Sequence, residues 1–124
     1  MKNKALFLTL LLAFALSACQ KANDKNPMLL GHWAGKEWLV FGKPSGQDAS
    51  LVSFDFDENG AYRASFGDQK QQGTWRTDGD KLYTTETGKK EIMVKLITAD
   101  GSTLKFEMKR GGQQETLELT KTEQ

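Results

Sequence analysis

The stretch SFDFDENGAYRASF carries oxygen-bearing side chains at the alternate positions that a calcium loop uses. Asp55, Asp57 and Asn59 would be the first ligands, and Gly60 would make the sharp turn. Such a loop ends at its twelfth position in a bidentate Glu, but that position is Phe66. Both flanks also alternate apolar and polar residues as strands do. We therefore predict a hairpin turn with Gly60 at positive φ, and no metal site.

Nucleophilic or metal chemistry has few residues available in this chain. His32 is the single histidine and Cys19 the single cysteine, so a Cys/His metal cluster cannot form. A Ser/His/acid arrangement would need His32, and no G-x-S-x-G turn accompanies it. His32 also precedes Trp33, which we expect to point inward, so His32 should point outward. The sequence predicts no catalytic residue, no metal and no cofactor.

Glu37 is the acidic residue that could lie inside the fold. It has the same strand parity as Trp33, and a buried carboxylate is costly unless it is paired. Glu37 could therefore contact the polar head group of a ligand, with Arg63 or Arg76 as a partner. The alternative is a β-bulge near Gly35 that turns Glu37 outward.

Apolar residues recur at every second position through most of the chain, which indicates half-buried strands. In KLYTTE the inward pair is either Leu82 and Thr84 or Tyr83 and Thr85. The other alternating sets are Val52, Phe54, Phe56; Tyr62, Ala64, Phe66; Gly73, Trp75; Ile92, Val94, Leu96; Leu104, Phe106, Met108; and Leu117, Leu119.

Short turns rich in Gly, Asn and Asp separate these segments, namely DENG, TDGD, ETGKK, ADGS and RGGQ. With GHWAGKEWLVF as the first strand, the chain contains about eight strands joined by short loops. Short loops join antiparallel neighbours. We therefore predict an all-β fold in which an antiparallel up-and-down meander of about eight strands closes into a small barrel.

A set of aromatic residues is expected to face the barrel interior. An eight-stranded barrel is just wide enough for side chains or for one small ligand. The set can therefore fill a solid core or line a ligand cavity, and the sequence leaves both open. The residues are Trp33, Phe54, Phe56, Tyr62, Phe66, Trp75 and Phe106.

The N-terminus differs from the rest of the chain. A short basic segment, MKNK, precedes a run of twelve residues that are apolar except for Thr9, which is too short to cross a bilayer as a helix and fits a signal peptide. The following Leu16–Cys19, LSAC, resembles the lipobox of bacterial lipoproteins. That resemblance implies cleavage after residue 18 and acyl chains on Cys19 that anchor the protein to a membrane. The polar residues after Cys19 are expected to form a flexible tether.

Gln20 follows the cysteine, and the absence of Asp there implies, by the same resemblance, an outer-membrane lipoprotein that faces the periplasm, with surface exposure as an alternative. The 124 residues allow one domain, so we expect a signal peptide at 1–18, a lipidated tether at 19–28 and a barrel at 29–122. The chain has 17 Lys and Arg against 16 Asp and Glu, and this balance gives no indication of nucleic-acid binding.

Gly31-His32-Trp33 is a G-x-W at the start of the first strand, and F-x-F-D-x-x-G-x-Y, G-T-W and G-D-x-L follow it in order. This series resembles the small lipocalin-like domains of bacterial lipoproteins over about residues 29–121. The resemblance implies that Trp33 packs across the barrel floor. It also implies that a late Arg covers this Trp, for which Arg110 is the nearest candidate. The chain is shorter than the larger lipocalins and lacks their disulfides.

These observations predict a membrane-anchored binding protein that holds a small hydrophobic or amphipathic ligand in the barrel. The alternative is a protein-interaction module, inhibitor-like or structural, with a filled barrel. Its working surface would be Asn26–Met28 or the loop GKPSGQDAS, and its partner would be an envelope protein. An enzyme is not expected, because the chain lacks a nucleophile with a base.

Overall fold

The computed structural model describes residues 24–123, and their backbone forms nine strands in chain order. Two short 3₁₀ turns, Pro27–Leu29 and Ala49–Leu51, precede the first and third strands. The strands are β1 (Gly31–Val40), β2 (Lys43–Pro44), β3 (Val52–Phe56), β4 (Ala61–Phe66), β5 (Gln69–Asp78), β6 (Lys81–Glu86), β7 (Glu91–Ala99), β8 (Thr103–Arg110) and β9 (Gln113–Thr122).

Eight of these strands close into an antiparallel barrel. Strands β3 to β9 pair in sequence, and β1 pairs with β3 on one side and with β9 on the other. The two-residue strand β2 folds back on the end of β1 as a short hairpin. The predicted all-β, up-and-down barrel is therefore confirmed, and the strand β2 is an addition that the sequence pattern did not indicate.

The segment DENG forms the predicted hairpin turn between β3 and β4. Gly60 has a φ of 91°, and the backbone N–H of Asp57 donates to the carbonyl of Ala61 at 2.9 Å. The side chain of Asn59 accepts from the N–H of Ala61 at 3.1 Å, so this oxygen serves the turn. Asp55 pairs across the strands with Arg63 on the outer face of the barrel.

A β-bulge interrupts β1 where it pairs with β9. Gly35 lies opposite Leu119, but the next pair is Glu37 with Glu118, so one residue of β1 is inserted. Side chains alternate between the faces of a strand, and one inserted residue reverses the alternation beyond it. Trp33 before the bulge and Trp38 after it consequently both face the barrel interior.

Gly35 also lies under the second 3₁₀ turn. A Cβ atom added there would lie 2.0 Å from the carbonyl oxygen of Ala49 and 3.2 Å from Cβ of Val52. Glycine is thus the residue that lets this turn pack directly on β1.

The turns alternate between the two ends of the barrel. The end formed by residues 24–30 and by the β3–β4, β5–β6 and β7–β8 turns is called the closed end here. The opposite end, formed by residues 41–51 and by the β4–β5, β6–β7 and β8–β9 turns, is called the open end.

Residues 24–28 were predicted to belong to a flexible tether, but they bind the closed end. The N–H of Thr77 donates to the carbonyl of Asp24 at 2.6 Å, and the N–H of Asn26 donates to the Thr77 hydroxyl at 2.9 Å. Leu29, which follows, is fully buried. Alternation could not reveal this docking, because it comes from buried Thr77 on a distant strand. The predicted signal peptide, Cys19 and the rest of the tether lie outside the described residues.

No helix within residues 24–123 is both long and apolar enough to cross a lipid bilayer.

Replacing Gly35 by Ala is expected to destabilise the barrel, because the new methyl group would collide with backbone atoms rather than with a side chain that can move. Overpacking of this kind costs about 1–3 kcal/mol, and we expect the upper part of that range in urea unfolding. Lys36→Ala on the exposed neighbouring residue should change the free energy of unfolding by less than about 0.5 kcal/mol. Equal effects of the two substitutions would contradict the close packing at Gly35.

Candidate functional site

The predicted aromatic residues all lie inside the barrel, and they divide between its two ends. Trp33, Phe56 and Trp75 are buried at the closed end, each at most 3% exposed. The other four line a cavity at the open end, and they are Phe54, Tyr62, Phe66 and Phe106. The two alternatives that the sequence left open, a filled core and a cavity, thus each describe one half of the barrel.

The closed half is filled and its polar ring atoms are bonded. Trp33 Nε1 donates to the carbonyl of Leu29 at 2.7 Å, and Trp75 Nε1 donates to the carbonyl of Asp57 at 2.9 Å. The rings of Phe56 and Trp75 pack edge to face with centroids 5.1 Å apart. These contacts fix the floor of the barrel and leave no unpaired indole N–H there.

The open half contains a cavity of about 1030 Å³ that opens at the rim. Phe54 is central to its wall, because its ring contacts Phe66 and Phe106 edge to face, each at 5.7 Å between centroids. Inward residues of β6 and β7 complete the apolar wall. On β6 the inward residues are Leu82 and Thr84. Of the two inward pairs that the sequence allowed for KLYTTE, this is the one that the structure contains.

A carboxylate, Glu115, faces into this cavity from β9. Only 6% of the residue is exposed, and its Oε1 accepts a hydrogen bond of 2.8 Å from Trp38 Nε1. Its Oε2 lies 3.6 Å from Arg110 Nε at the rim. Glu115 was not among the predicted site residues, although it has the same strand parity as Leu117 and Leu119 in QETLEL and this signal could have placed it inside.

Glu37 does not reach the interior. The bulge at Gly35/Glu37 turns its side chain to the outer surface, where it is exposed beside the 45–49 loop. The proposed arginine partners lie elsewhere: Arg63 is exposed, and Arg76 forms two hydrogen bonds to Glu91 on the outside. The alternative of a bulge is therefore confirmed, and Glu37 is corrected from a head-group contact to a surface residue.

A family model described as a lipocalin-like domain matches residues 29–106, which is more than half of the chain. The chain belongs to the lipocalin-like family. Barrels of this kind suggest the binding of small ligands in general. A comparison with curated proteins finds no match.

The lipocalin-like domain covers its floor tryptophan with a lysine. Lys121 Nζ lies 5.8 Å from the ring centroid of Trp33, within the range of a cation–π contact. Arg110, which the resemblance suggested for this position, lies at the opposite end of the barrel. The β1–β9 register explains the difference, because it pairs Lys121 directly with Trp33.

His32 lies on the outer face of the lipocalin-like domain, as predicted. Its Nδ1 is 2.5 Å from Oδ1 of Asp55, the residue opposite on β3. This pair is a cross-strand contact away from the cavity. Within residues 24–123, no group of three or more His, Cys, Asp or Glu side chains could hold a metal ion.

Another polar group of the cavity lining is the hydroxyl of Tyr62 on β4. It is 3.5 Å from the side-chain oxygen of Gln71, at the long limit of a hydrogen bond. Burial raises the pKa of Tyr62 above its ordinary value of 10.0. The Glu86 carboxylate raises this pKa further, and a hydrogen bond with Thr84 partly offsets both effects.

The raised pKa of Tyr62 predicts a pH dependence of stability. Because the folded state holds the phenolic proton more tightly than the unfolded chain, the free energy of unfolding should fall as pH rises from 10.0 through the folded-state pKa. Absorbance at 295 nm should show a tyrosine that ionises above pH 10, and Tyr62→Phe should remove that part of the titration. An unchanged titration midpoint in the variant would contradict the burial of this hydroxyl.

Proposed function

We propose that this lipocalin-like domain binds one small amphipathic molecule in the open half of its barrel, and that acyl chains on Cys19 hold the protein at a membrane of the bacterial envelope. The observation that carries the first part is the cavity of about 1030 Å³ above a filled floor. Ligand sites typically measure about 300–1000 Å³, are mostly apolar and contain few polar groups. The cavity volume lies at the upper end of this range, and the lining combines apolar and aromatic side chains with several polar ones.

The distribution of side chains favours an amphipathic ligand over a purely apolar one. The deep wall is made of Phe54, Leu82 and Phe106, which offer apolar surface worth about 25 cal/mol for each Å² that a ligand covers. Nearer the rim lie Glu115 and Arg110, which offer charge. A ligand would thus place an apolar tail towards the floor and a polar head towards the rim.

The proposal of an anchor rests on the lipobox-like LSAC sequence. The fold then determines which end of the barrel such an anchor would hold near the membrane. Asp24 is bound to Thr77 at the closed end, and it stands only five positions after Cys19. Five residues span at most roughly 18 Å when fully extended. In this proposal the closed end therefore faces the membrane and the mouth of the cavity faces away from it. With Gln20 after the cysteine, we place the protein on the outer membrane, facing the periplasm.

The alternative of an interaction module with a filled barrel is less well supported. It needs a solid core, whereas the open half contains a cavity. Its first candidate segment, Asn26–Met28, is held on the closed end by the hydrogen bond from the Asn26 N–H to the Thr77 hydroxyl and by the turn that leads into buried Leu29. The loop after β2 forms part of the cavity rim, since Ser45, Gln47 and Asp48 line it.

Filling the cavity should abolish ligand binding. Val94 faces the cavity from β7, and Met93 next to it is exposed on the outer face, so Val94→Trp and Met93→Trp form a matched pair. The probe is N-phenyl-1-naphthylamine, whose fluorescence rises in apolar surroundings, added to the mature chain with Ser at position 19. We expect Val94→Trp to weaken its binding at least about tenfold, while Met93→Trp leaves it unchanged. Equal affinity for both variants would contradict binding inside the barrel.

Membrane attachment should depend on Cys19 alone. Cys19→Ser should eliminate labelling by an alkyne-tagged palmitate and move the protein from the membrane to the soluble fraction, since two or more acyl chains are needed for stable anchoring. Ser17→Ala tests the sequence before the cysteine and should leave labelling intact. Membrane retention of an unlabelled Cys19→Ser protein would contradict the proposed anchor.

A further inference from the structure

The charged residues of the cavity are distributed unequally. Among the described lining residues, three carry charge: Glu115 and Asp48 are acidic, and Arg110 is basic. Asp48 and Arg110 are exposed at the rim, whereas Glu115 is buried. A ligand that enters the cavity therefore meets Glu115 as the deepest charged side chain of the described lining.

The contacts of Glu115 hold its carboxylate in place but use only part of its capacity to accept hydrogen bonds. Trp38 donates one hydrogen bond to Oε1, and the indole fixes the carboxylate against the wall. A carboxylate has about four acceptor positions on its two oxygens. The second oxygen has Arg110 Nε at 3.6 Å, beyond a normal hydrogen bond, and 62% of the Arg110 side chain is exposed. This arrangement leaves capacity on Oε2 for another donor.

A bound ligand would displace water from around Glu115. Removing water from a carboxylate is unfavourable unless a donor or a positive charge replaces it. An anionic head group beside Glu115 would add repulsion to this cost. A cationic head group would offset the cost, and the Trp38 ring next to the carboxylate is a second group that attracts cations.

We infer that Glu115 selects ligands with a protonated amine head group and an apolar tail. This inference rests on the proposed function, since it names the class of ligand that the cavity takes. Trp38 acts as the positioning residue for the carboxylate, and Arg110 is an exposed rim cation that the ligand's amine replaces beside Oε2.

The test compares three amphiphiles with the same twelve-carbon chain, dodecylamine, dodecanol and dodecanoate, each at pH 7 and below the concentration at which it aggregates or separates from solution. Each competes with N-phenyl-1-naphthylamine for the mature chain with Ser at position 19. We expect dodecylamine to bind at least about tenfold more tightly than the other two, the effect of one charge-assisted hydrogen bond in a buried site.

Three variants test which side chain causes the preference for dodecylamine. Glu115→Gln keeps an oxygen for Trp38 and should reduce the preference for dodecylamine over dodecanol to less than about twofold. Glu118→Gln, on the outer face of the same strand, should keep the full preference. Arg110→Gln should keep or increase it, because it removes the competing cation. Thermal unfolding of each variant verifies that the barrel is intact.

The outcomes separate the inference from the proposed function. Equal affinities for the three amphiphiles, or a preference that survives in Glu115→Gln, would overturn the role of Glu115 while ligand binding stands. Tightest binding of dodecanoate, lost in Arg110→Gln, would overturn it in favour of an anion site. Failure of the probe and of all three amphiphiles to bind the parent protein would contradict the proposed function itself, and the inference with it.

Discussion

The inserted residue in β1 is the constraint on which the interior of this barrel depends. Trp33 and Trp38 are five positions apart, so a regular strand would place them on opposite faces. The bulge between Gly35 and Glu37 reverses the alternation, and both indoles then enter the barrel. One of them forms the floor of the closed half. The other holds the carboxylate in the open half, and the same shift moves Glu37 outside.

The two halves of the barrel differ in what their side chains do. At the closed end, large rings and Leu29 occupy the space, and the first 3₁₀ turn covers them. This half supplies the dense packing that a small domain needs for stability. The rings of the open half, such as Phe54 and Phe66, also contact one another, but together they line a cavity and do not fill the space. Closure of the barrel by the β1–β9 ladder is what allows a cavity to exist without an exposed sheet edge.

The features that could be predicted from the sequence are those that depend on local patterns. Period-two alternation and the Gly- and Asn-rich turns indicate the strands, the hairpins and the barrel topology. From the sequence, the bulge near Gly35 was one of two alternatives. A glycine shows where a bulge is tolerated, but it does not show that a bulge occurs. Alternation in β9 could have placed Glu115 inside the barrel, but its contact with Trp38 and the position of Lys121 opposite Trp33 depend on the register between β1 and β9. The docking of Asp24 on Thr77 is a contact between backbone groups, and no side-chain pattern encodes it.

The central claim, that the open half of the barrel holds a small ligand, is tested most directly by a native mass spectrum. The mature chain with Ser at position 19 would be exported and measured directly from a periplasmic extract. We expect one discrete additional mass that disappears on denaturation, with a value that fits a single amine-bearing amphiphile. A bare polypeptide mass, both in the extract and after incubation with excess N-phenyl-1-naphthylamine and dodecylamine, would contradict it.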